Sequence, residues 1–93
     1  MTEMQLKLEQ AVTALERAER SLIREFSVGG IFLMLASAAK AHAMHGQVIN
    51  ALDAISKIDD CKAADDVNEA ELLLRSVEAT NEANEIRKAK EAA

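Results

Sequence analysis

Ile31-Phe32-Leu33-Met34-Leu35 sets five large apolar residues in a row, directly after Val28-Gly29-Gly30. Five consecutive positions sweep more than one helical turn, so no single face can hide them. A helix that is apolar all round must be buried all round. A chain of 93 residues has few elements to spare for that covering. The run is expected to be the hub of a helical bundle, completed by a second copy of the chain or by another protein.

The rest of the chain favours helix. It has no Pro, three Gly, and no Trp or Tyr; the two aromatics are Phe26 and Phe32. Ala, Glu, Leu, Lys and Arg dominate, the residues that lose least on entering a helix, and runs of β-branched residues are scarce. The reading is an all-α, antiparallel three-helix bundle, with helices near 3–26, 30–58 and 66–90, or four helices if the chain breaks at Gly46. Residues 1–93 form one domain, without a repeat of fixed period.

Local signals place the ends. Thr2-x-x-Gln5 has the capping-box form, as does Asp66-x-x-Glu69. Leu8, Leu15 and Leu22 stand seven apart, a narrow coiled-coil seam along the first helix. Gly29 and Gly30 permit a reversal after it. Val48, Ile49, Leu52, Ile55 and Ile58 give an amphipathic face whether or not Gly46 interrupts the helix. Asp59 through Asp66 reads as a polar break, and Val67, Ala70, Leu74 and Val77 as the inner face of the last helix. Asn81 and Asn84 continue that register without apolar support, so the end is expected to fray. Met34 and Met44 read as core filling.

Charge excludes several roles. The formal net charge is −5. Residues 59–93 hold ten acids and five bases and so carry the excess. An acidic chain with no basic stripe and almost no aromatics lacks the phosphate attraction and stacking platforms of nucleic-acid binders. The fourteen uncharged residues from Phe26 to Ala39 fall short of the ~20 that span a bilayer. The start lacks the form of a signal peptide, and the lone Cys61 fits a reducing compartment, so the expected location is cytoplasmic.

Two resemblances centre on Gly46. Leu35, Ala38, Ala39, Gly46, Val48, Ala51 and Ile55 match, in order and spacing, a single tetratricopeptide-type helical hairpin over residues 32–58. His42 stands where that family usually has Tyr, and no proline follows the second helix. The resemblance implies protein or peptide binding in a helical groove. Ala41-His42-Ala43-Met44-His45-Gly46 more distantly resembles a histidine phosphotransfer helix, with His45 in place of the usual Lys. That resemblance implies a phosphoryl group carried on His42, which needs an exposed imidazole and a cation to hold the phosphoryl oxygens.

Other chemistry has little to build on. His42 and His45 share a helix face, but no spacing supplies the further ligands of a zinc site, and no metal or other cofactor is expected. Acidic neighbours blunt Cys61 as a nucleophile. No phosphate loop and no small-molecule site is evident. The expected function is therefore non-enzymatic: an interaction module, whether adaptor, chaperone-like escort or inhibitor, that binds a protein partner or a second copy through Leu8, Leu15, Leu22, Ile31, Phe32 and Leu35. The alternatives are the His42 phosphotransfer protein and an inhibitor whose acidic last helix mimics nucleic acid.

Overall fold

The computed structural model describes residues 2–23, 29–59 and 63–92, and all its regular structure is helical: α1 Glu3–Ile23, α2 Gly29–Met44, α3 Val48–Ser56 and α4 Ala64–Ala92. The helices form a ring in which α1 packs on α2 and α4, and α3 closes the gap between α2 and α4. Arg17 reaches Asp66 and Glu69 while Lys7 reaches Ser76, so α1 and α4 run antiparallel. Glu19 meets Ser37 and Lys40, while Leu8 and Val12 flank Ala43 and Met44, so α1 and α2 are antiparallel too. The molecule measures 55 × 23 × 19 Å. Its long axis is set by the 29 residues of α4, about 44 Å of helix.

Helix α1 begins where its capping box predicts. The Thr2 amide donates to Gln5 Oε1 at 3.0 Å, and the Gln5 amide donates to Thr2 Oγ1 at 3.2 Å, satisfying two orphan amides reciprocally. The Asp66-x-x-Glu69 expectation is corrected. Helix α4 begins at Ala64, so both acids lie inside it, and their carboxylates accept from Arg17. The three-helix form of the bundle is corrected as well. Gly46 sits at φ +73°, the Gln47 amide donates to the His42 carbonyl at 2.8 Å, and the Gly46 amide to the Ala43 carbonyl at 3.1 Å. This pair of bonds around a left-handed residue is a Schellman stop, and it separates α2 from α3. The last helix keeps helical geometry through Ala92. Phe26, Asp60 and Cys61 lie outside the described residues.

A left-handed φ disfavours any side chain even where space is open, and nothing lies within 4 Å of a Cβ added at Gly46. Gly46→Ala is expected to cost about 1 kcal/mol through the backbone alone, lowering Tm by about 4–8 °C. Gly30 also has open space but an ordinary φ, so Gly30→Ala should raise stability by about 0.5 kcal/mol. Two thermal melts decide this, and equal shifts of one sign would sink it.

The core is built mostly of alanine. Among the described residues, ten of the seventeen buried hydrophobics are Ala, and the largest fully enclosed side chains are Leu15, Leu22, Leu74 and Val77. Small residues let helix axes approach closely, but they bury little apolar area each. Leu8 is half-buried against this core, and Leu15 and Leu22 are enclosed by it. The heptad seam of α1 therefore faces the chain's own interior. The expectation that Leu15 and Leu22 present an outward surface is corrected: α2 and α4 cover them.

Candidate partner-binding surface

Helix α2 packs in an unusual way for its composition. Its enclosed residues are Ala36, Ala39 and Ala43, while Ile31 is 71% exposed, Met34 72% and Met44 66%. Spacings of three and four residues put Ile31, Met34, Ala38 and Ala41 on the face opposite those alanines. None of Ile31 through Leu35 is fully buried. Phe32 and Leu33 lie half-covered against the core, and Leu35 is also half-buried. Small residues face inward and the large flexible ones face out, because the all-apolar run leaves no polar residue to take the outer positions.

The outer face also lacks charge. The one Lys or Arg of α2 is Lys40, and α2 has no acid. Lys40 Nζ lies 2.7 Å from Glu19 Oε1, and Ser37 Oγ donates to Glu19 Oε2 at 2.7 Å. Both polar groups are thus drawn sideways to α1. The hydrogen bond to Glu19 holds the Lys40 ammonium above its usual pKa, with that carboxylate's charge adding. Beside this face, Leu8, Val12, Ala43 and Met44 line a groove of about 740 Å³ between α1 and α2. The apolar surface therefore runs obliquely from Ile31 across Met34 to Met44 and into the groove.

The histidines lie at the end of the same helix. His42 is half-buried and its Nδ1 is 2.9 Å from Gln47 Oε1, at the start of α3. An amide oxygen only accepts, so in this pairing Nδ1 is the donor. His45 is exposed in the turn. Among the described residues no group of three or more His, Cys, Asp or Glu could hold a metal ion, and no helix is long and apolar enough to cross a membrane. Part of the acidic excess of α4 is engaged internally. Asp66 and Glu69 grip Arg17, whose guanidinium is held above its usual pKa chiefly by the hydrogen bond to Asp66. Glu71 pairs with Arg75 at 2.8 Å.

Of the residues singled out from the sequence, Ile31 lies on the outer half of α2 with Leu35 half-buried beside it, Phe32 stands on the inner face against the core, and Leu8 borders the groove. Sequence reasoning missed Met34 and Met44 as surface residues. The available signal was the alternative apolar face at Ala36, Ala39 and Ala43, which fills the inner positions with small residues. No protein-family profile, characterised protein or solved structure matches the chain.

Proposed function

We propose that this chain is a non-enzymatic protein-interaction module that receives an apolar helix of a partner protein on the outer face of α2. The observation that supports it most is the inversion of α2, with alanine inside and Ile31 and Met34 more than 70% exposed on a face without charge. Leaving large apolar side chains in water forgoes the transfer energy that their burial would contribute to folding. Contiguous apolar surface on a small helical protein marks an interaction site, and Met adapts to irregular partner surfaces. A 16-residue helix is about 24 Å long. One face of it belongs to the smaller class of interfaces, below about 1,200 Å² in total, the class of reversible contacts. The groove at Leu8, Val12 and Met44 gives a partner helix an edge to lie along.

The test compares the wild type with Met34→Asp and Ile31→Asp as baits in cells of the source organism, with captured proteins quantified by mass spectrometry. Both positions are exposed, so the fold should hold within about 0.5 kcal/mol. The expected result is a partner enriched by the wild type and reduced about thirtyfold by either variant, as for a central interface residue. An identical set of captured proteins for all three baits would refute the reading.

A further inference from the structure

Helix α4 carries a second apolar stripe, on the side away from its core face. Val67, Ala70, Leu74 and Val77 face the bundle. Opposite them, Leu72 is 70% exposed and Ile86 59%, with Ala79 and Ala83 exposed and Ser76 half-buried between them. Leu72, Ala79 and Ile86 are seven apart, and Ser76 and Ala83 fill the intervening half-heptads, the a/d spacing of a two-helix seam. The stripe is symmetric about Ala79: one large apolar residue stands seven positions before it and another seven after. The edge charges follow that symmetry to within one residue. Arg75 stands four before Ala79 and Glu82 three after, on one edge of the stripe.

We propose that two copies of this chain pair through α4, antiparallel, with a two-fold axis at Ala79. An isologous contact requires residue i to meet j wherever j meets i, and this stripe meets that requirement along its length. Leu72 lies against Ile86 of the second copy, and Ile86 against Leu72 of the second copy. Ser76, Ala79 and Ala83 form a narrow waist that lets the axes approach to about 8 Å. Arg75, whose side chain is 65% exposed and which in the single chain reaches back along its own helix to Glu71, meets Glu82 of the second copy, and the pair occurs twice. On the other edge, Leu6, Leu72 and Leu73 line a groove of about 630 Å³ between α1 and α4, with Glu9 and Glu69 on its walls. That groove, whose walls also carry Lys7 and the Arg17 paired with Glu69, seats Ile86 of the second copy.

The length of α4 independently favours this occupant. The antiparallel register set by Lys7 and Ser76 brings α1 to its end near Thr80, so the last dozen residues of α4 run past it. The α2–α3 turn and the start of α3 flank part of that stretch on one side, at Asn81, Glu82, Asn84, Glu85 and Lys88, while its outer side, at Ala83 and Ile86, stays exposed. In the antiparallel pair, residues beyond Asn81 of each copy lie along the first half of the other α4, which is anchored on its bundle. A parallel pair would set the two overhangs side by side, with neither lying along the bundle-anchored half of the other helix.

Sedimentation equilibrium on the whole chain tests this. The wild type is expected to be a dimer. Leu72→Asp and Ile86→Asp should each weaken it about thirtyfold, with unchanged helicity by circular dichroism because both sites are exposed. Arg75→Glu should weaken the dimer, and adding Glu82→Arg should restore it, a rescue that only a reciprocal contact gives. In a Cys61→Ser background, Ala79→Cys should oxidise to a cross-linked dimer. Glu91→Cys should not, since the antiparallel register holds those positions about 36 Å apart. Ile31→Asp should leave the mass unchanged, so loss of α2 binding and loss of this dimer are separable. A wild type that is monomeric throughout, a dimer indifferent to Leu72→Asp and Ile86→Asp, or one lost only with Ile31→Asp would each overturn the proposal.

Discussion

Leu15→Ala is expected to lower the stability of this chain by about 3–4 kcal/mol and to shift Tm down by about 15–25 °C. The size follows from the composition of the core. Leu15 is fully enclosed and one of only four large side chains among the described residues that are. Its neighbours include Ala11, Ala14 and Ala18 on α1 itself, which have no atoms to move into the space left behind. A cavity that cannot collapse adds its own term to the lost transfer energy. A domain of this length has about 5–10 kcal/mol in total, so one truncation removes a large fraction of it. Urea denaturation followed by circular dichroism measures the change, with Ile49→Ala as the comparison. Ile49 is 69% exposed, and its truncation should stay within about 0.5 kcal/mol. Equal midpoints for the two variants would mean that Leu15 is not the core residue described above.

Local chemistry was the readable part of this sequence. A hydroxyl and an amide three residues apart cap a helix wherever it docks, so Thr2 and Gln5 could be read directly. Gly46 left two outcomes open, because a glycine is tolerated in a helix at about 1 kcal/mol. Tertiary packing of α3 between α2 and α4 favours the break. The inward direction of the Leu8, Leu15 and Leu22 seam was readable as periodicity, but periodicity does not say whether the covering helix comes from the same chain. Asp66 and Glu69 misled for a related reason. Their spacing suits a cap, but Arg17, 49 residues away from Asp66, competes for the same carboxylates. The outer stripe of α4 was hidden by superposition. Leu74 and Val77 on one side and Leu72 and Ile86 on the other cancel as a single amphipathic pattern, so only the seven-residue spacing of Leu72, Ala79 and Ile86 could have revealed it.

The candidate surface on α2 was legible in one respect and misread in another. Five apolar residues in succession announce that some of them must remain outside a small bundle. Which ones do so depends on which turn of the helix meets α1. The sequence offers two inward faces, one through Ile31 and Leu35 and one through Ala36, Ala39 and Ala43. The first would bury more apolar area. The second lets α2 approach the alanine-rich side of α1 and brings Lys40 and Ser37 to Glu19. Close packing and one shared carboxylate together outweigh the side-chain area left in water.

That choice makes Ala39→Leu the second large effect. Ala39 is fully enclosed, and it belongs with Ala36 and Ala43 to the buried face of α2, in one core cluster with the buried alanines of α1. Three added carbons at such a site find no void and must push α2 away from α1 or force an off-rotamer side chain, an overpacking cost of about 2–3 kcal/mol. The displacement also acts at a distance. Lys40 is the next residue, and moving it loosens the 2.7 Å contact to Glu19 that draws the helix's charge off its outer face. Met34 and Ile31 would then be presented at a shifted angle, and partner capture should fall together with stability. A denaturant titration gives the first quantity and the capture ratio gives the second. The compensating variant is Ala18→Gly, which opens space on the facing helix next to the Glu19 that Ser37 and Lys40 meet. If the two sites touch, the double variant should recover part of what Ala39→Leu loses, a coupling of about 1 kcal/mol on top of the separate effects. Strict additivity would place the two alanines on different contacts, and a tolerated Ala39→Leu would mean that α1 and α2 stand farther apart than an alanine seam permits. Because the same seam turns Ile31 and Met34 outward, the cost of filling it measures how firmly the apolar face is held toward a partner.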